Sequence, residues 1–458
     1  MAESVDQMLV QMQKAKDFGG DLVELRVDFL KNFVPRQDLD ILIKQAPLPT
    51  LVTYRPRWEG GQYDGDESKR REALRLAMEL GADYIDIELK ATGADIVKIA
   101  TTAVDIIDNA RIFQVLVHSQ VPMIGLVMGE RGLMSRILAA KFGGFLTFGS
   151  LEAGLVSAPG QPTVKELLDL YNMRLIGPDT KVYGVIGNPI GHSKSPHIYN
   201  ASFKSSSFNG IYLPLLVDDV STFITTYLAP DFAGYSYTFP HKEAGLKCCD
   251  EVDPIAKAIG AISCMIKRST EGKLIGYNID YLGGIAAIEE ELRVSNGATL
   301  ASGSPLAGKT FVIIGAGGAG KALAYGAYEK GARIVVANRT YGKGLKIDKA
   351  KELASKVRGQ ALTLAELNDF CPEEGMILVN TTPVGMEPRI EETPVPKETL
   401  KHYSLVFDAV YTPKLTRLLR EAKQSGATIV YGTEMFINQA FIQFEMFTGL
   451  PGKTMPYD

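Results

Sequence analysis

The 458-residue sequence contains no run of about 18 or more apolar residues, so it predicts no membrane-spanning helix. Its four cysteines show neither metal-ligand spacing nor a disulfide framework, which favours a reducing compartment. The net charge is only −4 and neither a basic block nor an acidic tail is present, so no nucleic-acid or membrane-surface partner is indicated. No signal or transit peptide precedes the first helical pattern.

What is present is an alternation of short apolar runs with stretches of helical spacing, which predicts an α/β protein with parallel sheets. At about 150 residues per domain, the length predicts about three domains. We expect a first domain over 1–174, ending at the turn-rich Pro178-Asp179 linker. A second domain covers 181–280 with a return segment 432–458, and a third covers 281–431. The third domain begins within a small-residue linker, Ser295–Gly308.

The first domain opens with a predicted capping box, Ser4-Val5-Asp6-Gln7, before an amphipathic helix. Short apolar runs then predict six strands, over Asp21–Val27, Thr50–Tyr54, Tyr84–Leu89, Asp95–Ile99, Met123–Val127 and Phe145–Phe148.

A glycine-rich turn in the third domain predicts a dinucleotide site. The strand Thr310–Ile314 runs into the sequence Gly-Ala-Gly-Gly-Ala-Gly, and a helical pattern continues through Glu329. Glycine lets the backbone turn tightly and approach a pyrophosphate, whose charge the helix N-terminus favours. The alternative is an ordinary glycine-rich turn. The predicted cofactor contacts here are Gly315, Gly317, Gly318 and Ala319.

The residues that follow the next predicted strand, Arg333–Ala337, indicate whether the dinucleotide is NAD or NADP. An NAD site usually has an acidic residue here for the ribose hydroxyls, but this sequence has Asn338-Arg339-Thr340. A guanidinium and a hydroxyl suit a 2′-phosphate, which a carboxylate would repel. We therefore expect NADP, with a solvated surface arginine as the alternative interpretation of Arg339.

Several polar clusters surround this unit, among them Ser193-Lys194-Ser195, Thr238-Phe239-Pro240-His241-Lys242 and Asn278-Ile279-Asp280. In this order the chain over Lys181–Leu450 resembles shikimate dehydrogenase, which reduces 3-dehydroshikimate to shikimate with NADPH. The resemblance implies that Lys242 and Asp280 are the catalytic pair, which moves a proton at the ring oxygen. It also implies substrate contacts at Ser193, Ser195, Thr238, Ser263, Tyr411 and Gln439, and cofactor contacts at Asn338, Arg339, Thr340, Thr381 and Gly432.

Two positions depart from the family pattern and keep other functions open. Ser263 stands where the family usually has Asn, and Ile279 where it has Thr. A shorter serine reaches a substrate hydroxyl only after a shift or through a water. Quinate-specific relatives tend to change the serine at 195 and the threonine at 238, and both are retained here. We expect a shikimate dehydrogenase, with a quinate dehydrogenase and a non-catalytic copy as alternatives.

The first domain contains Glu24-Leu25-Arg26, Thr53-Tyr54-Arg55, Val97-Lys98-Ile99 and Met134-Ser135-Arg136. These motifs resemble those of type I dehydroquinate dehydratase, a (β/α) barrel. In that family the lysine at the position of Lys98 forms a Schiff base with the substrate ketone, and a lysine among apolar residues suits this role. Fusion of the two enzymes is the arrangement of the plant bifunctional enzymes. The resemblance implies substrate contacts at Glu24, Arg26, Arg55, Arg136, Ser157 and Gln161.

The region is nevertheless too short for that barrel, which takes about 250 residues and eight strands. Only Lys90–Ala94 separate two predicted strands, although parallel neighbours need a crossover of about a dozen residues. We expect an incomplete barrel that lacks the strand unit carrying the family's catalytic histidine. No histidine precedes Lys98, and His118 is predicted to be a loop or helix-end residue. Dehydratase activity is therefore expected to be impaired.

The same resemblance places the protein in the plastid, with the cytoplasm as the alternative. Its partners are expected to be the small-molecule substrates alone, and the fused domains could act as a monomer. No metal is expected.

Overall fold

The alternation of strands and helices seen in the sequence is present throughout the part of the chain that the computed structural model describes. That part comprises residues 1–88, 94–154, 158–268, 271–295, 303–338, 347–452 and 455. The chain divides into two compact units. The first is Met1–Lys181 with Asn209–Val217, and the second is Val182–Phe208 with Asp218–Asp458. Subdivision of the second unit stays a prediction.

Up to residue 137, and besides short 3₁₀ turns, the described residues of the first unit form five α-helices and five strands. They are α1 (Val5–Asp17), β1 (Val23–Arg26), α2 (Pro35–Lys44), β2 (Thr50–Thr53), α3 (Glu67–Glu79), β3 (Tyr84–Asp86), β4 (Val97–Thr102), α4 (Asp108–His118), β5 (Met123–Met128) and α5 (Leu133–Ile137). The predicted cap of α1 forms, because Ser4 Oγ accepts from Gln7 N at 3.3 Å. The Gln7 side chain accepts from Glu3 N rather than from Ser4 N, so the box closes one residue earlier than predicted.

The strands of the first unit form two separate parallel sheets. One has the order β1-β2-β3, and the other pairs β4 with β5. Within the described residues, β3 and β4 are not paired, as expected from the short connection between them. β2 is buried at all four positions, whereas β4 is half-buried or exposed along its length. The barrel sheet is therefore interrupted at this connection.

The predicted strand Phe145–Phe148 is wrong. These residues are irregular and lie half-buried or exposed. Only Phe145 N bonds to the neighbouring strand, at Met123 O, and one such bond does not make a ladder. The apolar run therefore contributes side chains to the unit without joining a sheet.

The second unit contains the remaining elements, except that strand β7 belongs to the first. In chain order they are β6 (Lys181–Gly187), α6 (Ser195–Ser205), β7 (Gly210–Leu216), α7 (Val220–Thr226), β8 (Phe232–Tyr237), α8 (Lys242–Leu246), β9 (Glu251–Val252), α9 (Pro254–Ile259), β10 (Cys264–Lys267), β11 (Leu274–Tyr277), α10 (Asp280–Ser295), β12 (Thr310–Ile314), α11 (Gly318–Glu329), β13 (Arg333–Asn338), α12 (Ile347–Lys356), β14 (Gln360–Thr363), α13 (Leu364–Asn368), β15 (Met376–Asn380), β16 (Tyr403–Asp408), α14 (Arg417–Gln424), β17 (Thr428–Val430) and α15 (Gly432–Thr448). Half of the predicted linker Ser295–Gly308, residues 296–302, lies outside the described residues.

In one sheet of the second unit, strands β6, β8, β10, β11 and β9 are neighbours in this order. β6 and β8 are parallel, whereas β10 is antiparallel to both β8 and β11. The amino end of β10 therefore lies at the same edge as the carboxyl ends of β8 and β11. This reversal brings Ser263, which precedes β10, to the edge that carries Thr238 and Asn278.

The other sheet is fully parallel and has the order β14-β13-β12-β15-β16-β17. Counted from β12, this is the 3-2-1-4-5-6 order of a dinucleotide-binding Rossmann fold, as predicted. β12 is buried at all five positions, because helices cover both faces of the sheet. Among the described residues, no helix combines the length and apolarity needed to cross a membrane.

Asp408 is a fully buried carboxylate at the end of β16. It accepts hydrogen bonds from Asn380 Nδ2 at 2.9 Å, Thr416 Oγ1 at 2.6 Å and Val410 N at 3.1 Å. Burial outweighs these bonds and raises the pKa of Asp408 to about 6. The folded protein therefore holds the Asp408 proton more tightly than the unfolded chain does.

We predict that Asp408→Asn changes how stability depends on pH. The contribution of Asp408 is greatest near pH 4 and is lost as pH rises through about 6, so it spans at most about 3 kcal/mol. The difference in melting temperature between the native chain and Asp408→Asn should fall steadily from pH 4 to pH 7. The exposed Asp369→Asn is the control. A difference that does not vary with pH would contradict the burial argument.

Candidate functional site

A cavity of about 210 Å³ in the second unit collects most of the predicted substrate residues. Its walls come from loops at the edge of the β6-β8-β10-β11-β9 sheet where β8 and β11 end, from the start of α11 and from α15. Of the predicted site residues, those that border it are Ser193, Ser195, Thr238, Lys242, Ser263, Asp280, Ala319, Tyr411, Gly432 and Gln439. Residues more than 200 positions apart in the sequence thus meet in one cavity.

Lys242 and Asp280 form an ion pair inside this cavity, between Nζ and Oδ2. Asp280 is almost fully buried, while the Lys242 side chain keeps about a fifth of its surface exposed, at 21%. Asp280 is the first residue of α10, where the helix dipole favours a carboxylate. Lys242 is the first residue of α8, and its carbonyl accepts from Ile262 N at 2.9 Å. The pair can hold and exchange a proton at the cavity wall.

Hydroxyls and side-chain amides contribute other polar groups to the wall. Ser193 lies in the loop after β6, and its Oγ accepts from Ser195 N at 3.3 Å at the start of α6. Tyr411 stacks on Phe436 with ring centroids 5.3 Å apart, and burial raises the pKa of Tyr411. Tyr411 therefore stays a neutral hydrogen-bonding group. Gln439 reaches the cavity from α15.

The two positions that depart from the family pattern touch each other. Ser263 Oγ accepts from Ile279 N at 2.8 Å, and both residues are buried and border the cavity. Asn278 Nδ2 donates to Ala261 O at 2.9 Å, which fixes the neighbouring backbone. Ser263 therefore positions the chain next to Asp280 and also presents a hydroxyl to the cavity, while Ile279 contributes an apolar wall.

Sequence reasoning missed a polar cluster formed by Gln443, Tyr199 and Ser236. Gln443 Oε1 accepts from Tyr199 OH at 2.7 Å and from Ser236 Oγ at 2.5 Å, and all three residues border the cavity. Within the described part of the chain, the buried Gln443 Nε2 has no hydrogen-bond acceptor. A signal was available, because Gln443 follows Gln439 by one helical turn and faces the same side of α15.

The glycine turn after β12 has the geometry that a pyrophosphate needs. Gly315 has a φ of +107°, and a Cβ on Gly320 would lie 2.2 Å from Gly315 O, so neither position accepts a side chain. A Cβ on Gly317 would meet no atom within 4 Å, which leaves open space at the N-terminus of α11. An open helix N-terminus beside a tight turn fits a bound phosphate group.

The remaining predicted cofactor residues lie near the same sheet edge. Asn338 ends β13, and Thr381 follows β15, where its Oγ1 donates to Ile314 O at 2.8 Å. Thr381 thus joins two strand ends. Gly432 begins α15, and a Cβ there would lie 2.7 Å from Val410 O. Arg339 and Thr340 lie outside the described residues.

The first turn of α11 also contacts the helix that carries Lys242. A Cβ on Gly318 would lie 3.2 Å from Lys242 Cδ, so the lysine stem packs over this glycine. Lys321, one turn further, pairs with Glu243 at 2.7 Å. The dinucleotide turn therefore holds α8 in place through two contacts.

In the first unit, Lys98 lies in a small charged cluster. Its Nζ is 3.7 Å from Asp86 Oδ2 and 4.6 Å from the centre of the Phe148 ring. Arg55 also pairs with Asp86. Asp86 was not predicted, although its place at the end of β3 could have indicated it. The cluster holds two cations around one carboxylate.

Other residues predicted to bind the dehydratase substrate lie in strands or near their ends, and some form hydrogen bonds with neighbouring side chains. Glu24 accepts from Thr53 Oγ1 at 2.9 Å, and Arg26 donates two bonds to Asp28. Gln161 is half-buried. Two residues before it, Pro159 O accepts a hydrogen bond at 2.9 Å from Gly129 N, which follows β5. Ser157 lies outside the described residues. His118 ends α4 as predicted, and its Nδ1 lies 2.7 Å from Gln114 O.

Arg136 is buried in α5, and burial lowers the pKa of its guanidinium. In the described part of the chain, neither its Nε nor its Nη2 has a hydrogen-bond acceptor. A buried cation without partners costs free energy, so this residue is suited to an anionic ligand.

Sequence comparisons assign the two units to different family models. Residues 1–92 and 89–178 match type I 3-dehydroquinase. Residues 185–265 match the shikimate dehydrogenase substrate-binding domain, 299–409 match shikimate/quinate 5-dehydrogenase, and 432–457 match the shikimate 5′-dehydrogenase C-terminal domain.

The chloroplastic bifunctional 3-dehydroquinate dehydratase/shikimate dehydrogenase of Arabidopsis thaliana is 58% identical to the chain, over 98% of this chain and 81% of that protein. The chain belongs to this bifunctional family. The NADP⁺ shikimate dehydrogenase of Bacillus cereus strain AH187 is 38% identical, over 59% of the chain and 93% of its own length. A crystal structure of shikimate dehydrogenase with NADP⁺ is 33% identical with a TM-score of 0.53, covering 61% of this chain and 94% of its own. The resemblance stated from the motifs is confirmed.

The comparisons also locate an interruption in the first unit. The 3-dehydroquinase model matches in two pieces that meet at residues 89–92, between β3 and β4. The alignment with the Arabidopsis protein spans 496 positions, 38 more than the 458 residues of this chain. The relative therefore has residues that this chain lacks, in agreement with the separated sheets.

We predict that Arg136→Met stabilises the first unit in the absence of ligand. Methionine keeps much of the length of the side chain and removes the buried charge, which should contribute about 1–3 kcal/mol. Thermal unfolding of the full chain should show a higher melting temperature for Arg136→Met. The exposed Arg36→Met should leave it unchanged, and a lower melting temperature for Arg136→Met would show that the guanidinium is compensated.

Proposed function

We propose that the second unit is an NADP-dependent shikimate dehydrogenase, which interconverts 3-dehydroshikimate and shikimate in the pathway to the aromatic amino acids. One observation carries this proposal: the Lys242–Asp280 pair borders the same cavity as Ala319 at the start of the dinucleotide helix. A proton-exchanging pair beside a nicotinamide site is what oxidation of a ring alcohol requires. The activities of the Arabidopsis and Bacillus relatives, a bifunctional dehydratase/dehydrogenase and an NADP⁺ shikimate dehydrogenase, support it.

In the proposed mechanism Lys242 moves the proton at the reacting ring oxygen. When shikimate is oxidised, Lys242 as the neutral amine accepts the hydroxyl proton and becomes the ammonium, and in the reverse direction this ammonium returns the proton. Asp280 holds the Lys242 Nζ toward the cavity and accepts a hydrogen bond from the substrate side. NADP, when bound, accepts or supplies the hydride. The buried setting of Asp280 strengthens these interactions by excluding water.

The other cavity residues orient the substrate in this proposal. Ser193 and Ser195 bind its carboxylate at the start of α6, and Tyr411 closes the same region. Thr238, Ser263 and Gln439 contact ring hydroxyls. Gly315, Gly317 and Gly318 admit the pyrophosphate, and Asn338, Arg339 and Thr340 bind the 2′-phosphate.

Quinate is the second candidate substrate. The contact between Ser263 and Ile279 supports this alternative. The hydrogen bond from Ile279 N occupies one lone pair of Ser263 Oγ, so Ser263 offers the ring fewer contacts than a carboxamide would. Ser195 and Thr238 both border the cavity and support shikimate. The matched family model includes dehydrogenases of both substrates.

For the first unit we propose a dehydratase-like domain with impaired turnover. Lys98 is half-buried beside Asp86 and the Phe148 ring, and among the described residues no histidine other than the helix-end His118 lies in this unit. Imine formation needs only the amine and a site for the substrate, whereas elimination also needs a general acid or base. Since the Arabidopsis relative is chloroplastic by name, we propose that this protein also acts in the plastid, as a monomer.

We predict that Lys242→Ala lowers shikimate oxidation about 10²–10⁴-fold while NADP binding is unchanged, because a proton-transfer residue contributes on this scale. Steady-state rates and fluorescence titration with NADPH measure the two effects. Lys247→Ala, an exposed lysine at the end of the same helix, is the matched control. Turnover near the native rate in Lys242→Ala would sink the catalytic assignment.

We predict that borohydride traps a covalent adduct of dehydroquinate on Lys98. The lysine nitrogen attacks the ketone carbon, water leaves, and borohydride reduces the resulting imine to a stable amine. Intact mass spectrometry should show the adduct in the native chain and in Lys69→Ala, but not in Lys98→Ala. Dehydroshikimate release should be slow throughout, and fast release by the native chain would overturn the proposed impairment.

A further inference from the structure

Three different metal-ligand donors meet away from the catalytic cavity. The thiol of Cys371, the carboxylate of Glu374 and the imidazole of His402 place their ligand atoms within 4.8 Å of one another. Cys371 and Glu374 are exposed, and the His402 side chain is a quarter exposed, at 25%. Thiolate, imidazole and carboxylate together are the donor types that Zn²⁺ binds in proteins.

The spacing of these atoms is close to that of a tetrahedral site. His402 Nδ1 lies 2.9 Å from Glu374 Oε1, and Cys371 Sγ lies 4.0 Å from the same oxygen. Ideal Zn–S and Zn–O or Zn–N bonds of about 2.3 and 2.0 Å place such ligand atoms roughly 3.3–3.5 Å apart. The Glu374–His402 and Cys371–Glu374 pairs thus each need a shift of about half an ångström, and the Cys371–His402 pair, which lies within 4.8 Å, closes to about 3.5 Å by rotation of the exposed Cys371 side chain.

The backbone already holds the two contributing segments together. Cys371 and Glu374 lie in the loop before β15, and His402 ends a 3₁₀ helix, Lys397–His402, before β16. Gly375 N donates to His402 O at 3.1 Å, and Ser404 Oγ donates to Gly375 O at 2.8 Å. The ligands are therefore brought together by the sheet rather than by the ion.

The nearest other carboxylate does not compete with these three residues for a metal ion. Glu373, the other carboxylate of the loop, pairs with Arg333 and accepts from Thr310 N at 3.2 Å, so it points away from the cluster. Cys371 and Glu374, once ionised, balance the charge of a divalent ion.

We propose that Cys371, Glu374 and His402 bind one Zn²⁺, with water as the fourth ligand. On binding, the thiol releases its proton and the neutral imidazole donates the Nδ1 lone pair. The site lies at the amino ends of β15 and β16, the edge opposite to the one that carries Thr381 and Asp408. The ion therefore clamps the loop to the sheet and takes no part in the hydride transfer.

Isothermal titration of the untagged full chain with Zn²⁺ alone tests this site. We expect one equivalent to bind, with affinity at least tenfold weaker in Cys371→Ser and in His402→Gln. Cys248→Ser, which alters another partly exposed cysteine, should bind as the native chain does. Shikimate oxidation should be unchanged in all three variants, which shows that they remain folded.

Cobalt substitution provides the second measurement. Co²⁺ bound by a cysteine thiolate gives a charge-transfer absorption in the near ultraviolet, and we expect it in the native chain and in Cys248→Ser but not in Cys371→Ser. Absence of Zn²⁺ binding by the native chain would overturn the proposal. So would binding that persists with native affinity and absorption in Cys371→Ser.

Discussion

The ion pair between Lys242 and Asp280 is the interaction on which the rest of the second unit depends. A carboxylate as buried as Asp280 is tolerated only with a partner, and Lys242 supplies it from the start of α8. The first turn of α11 in turn holds α8 through Gly318 and the Lys321–Glu243 pair. These contacts couple the dinucleotide turn to the proton-exchanging pair and to the substrate cavity. A displacement of α11 would therefore also displace Lys242.

Sequence reasoning recovered the features that local patterns carry. The glycine turn between β12 and α11, the Rossmann strand order and the clustering of Ser193, Thr238 and Asp280 follow from strand ends that meet at one sheet edge. The contacts of Gln443 and of Asp86 were missed, because they depend on how a distant helix or strand packs. The predicted strand Phe145–Phe148 failed because apolar character alone does not provide a pairing partner. The role of each predicted site residue stays a prediction.

The first unit shows what a missing crossover does to a barrel. The connection between β3 and β4 is shorter than the crossover of about a dozen residues that parallel neighbours need, and the strands on its two sides form separate sheets. The family match breaks at the same point. Lys98 keeps Asp86 and the Phe148 ring beside it, whereas within the described residues the Nε and Nη2 atoms of the buried Arg136 have no hydrogen-bond acceptor. Several side chains predicted to bind substrate are thus present in the first unit, although its described strands form two separate sheets.

The central claim is that the Lys242–Asp280 cavity oxidises shikimate with NADP. Steady-state oxidation by the purified full chain, with shikimate and quinate each offered with NADP and with NAD, tests it most directly. We expect shikimate with NADP to have the highest kcat/KM of the four pairs. Preference for quinate would show that Ser263 and Ile279 have changed the substrate. If the folded chain turned over none of the four pairs, the claim would be contradicted.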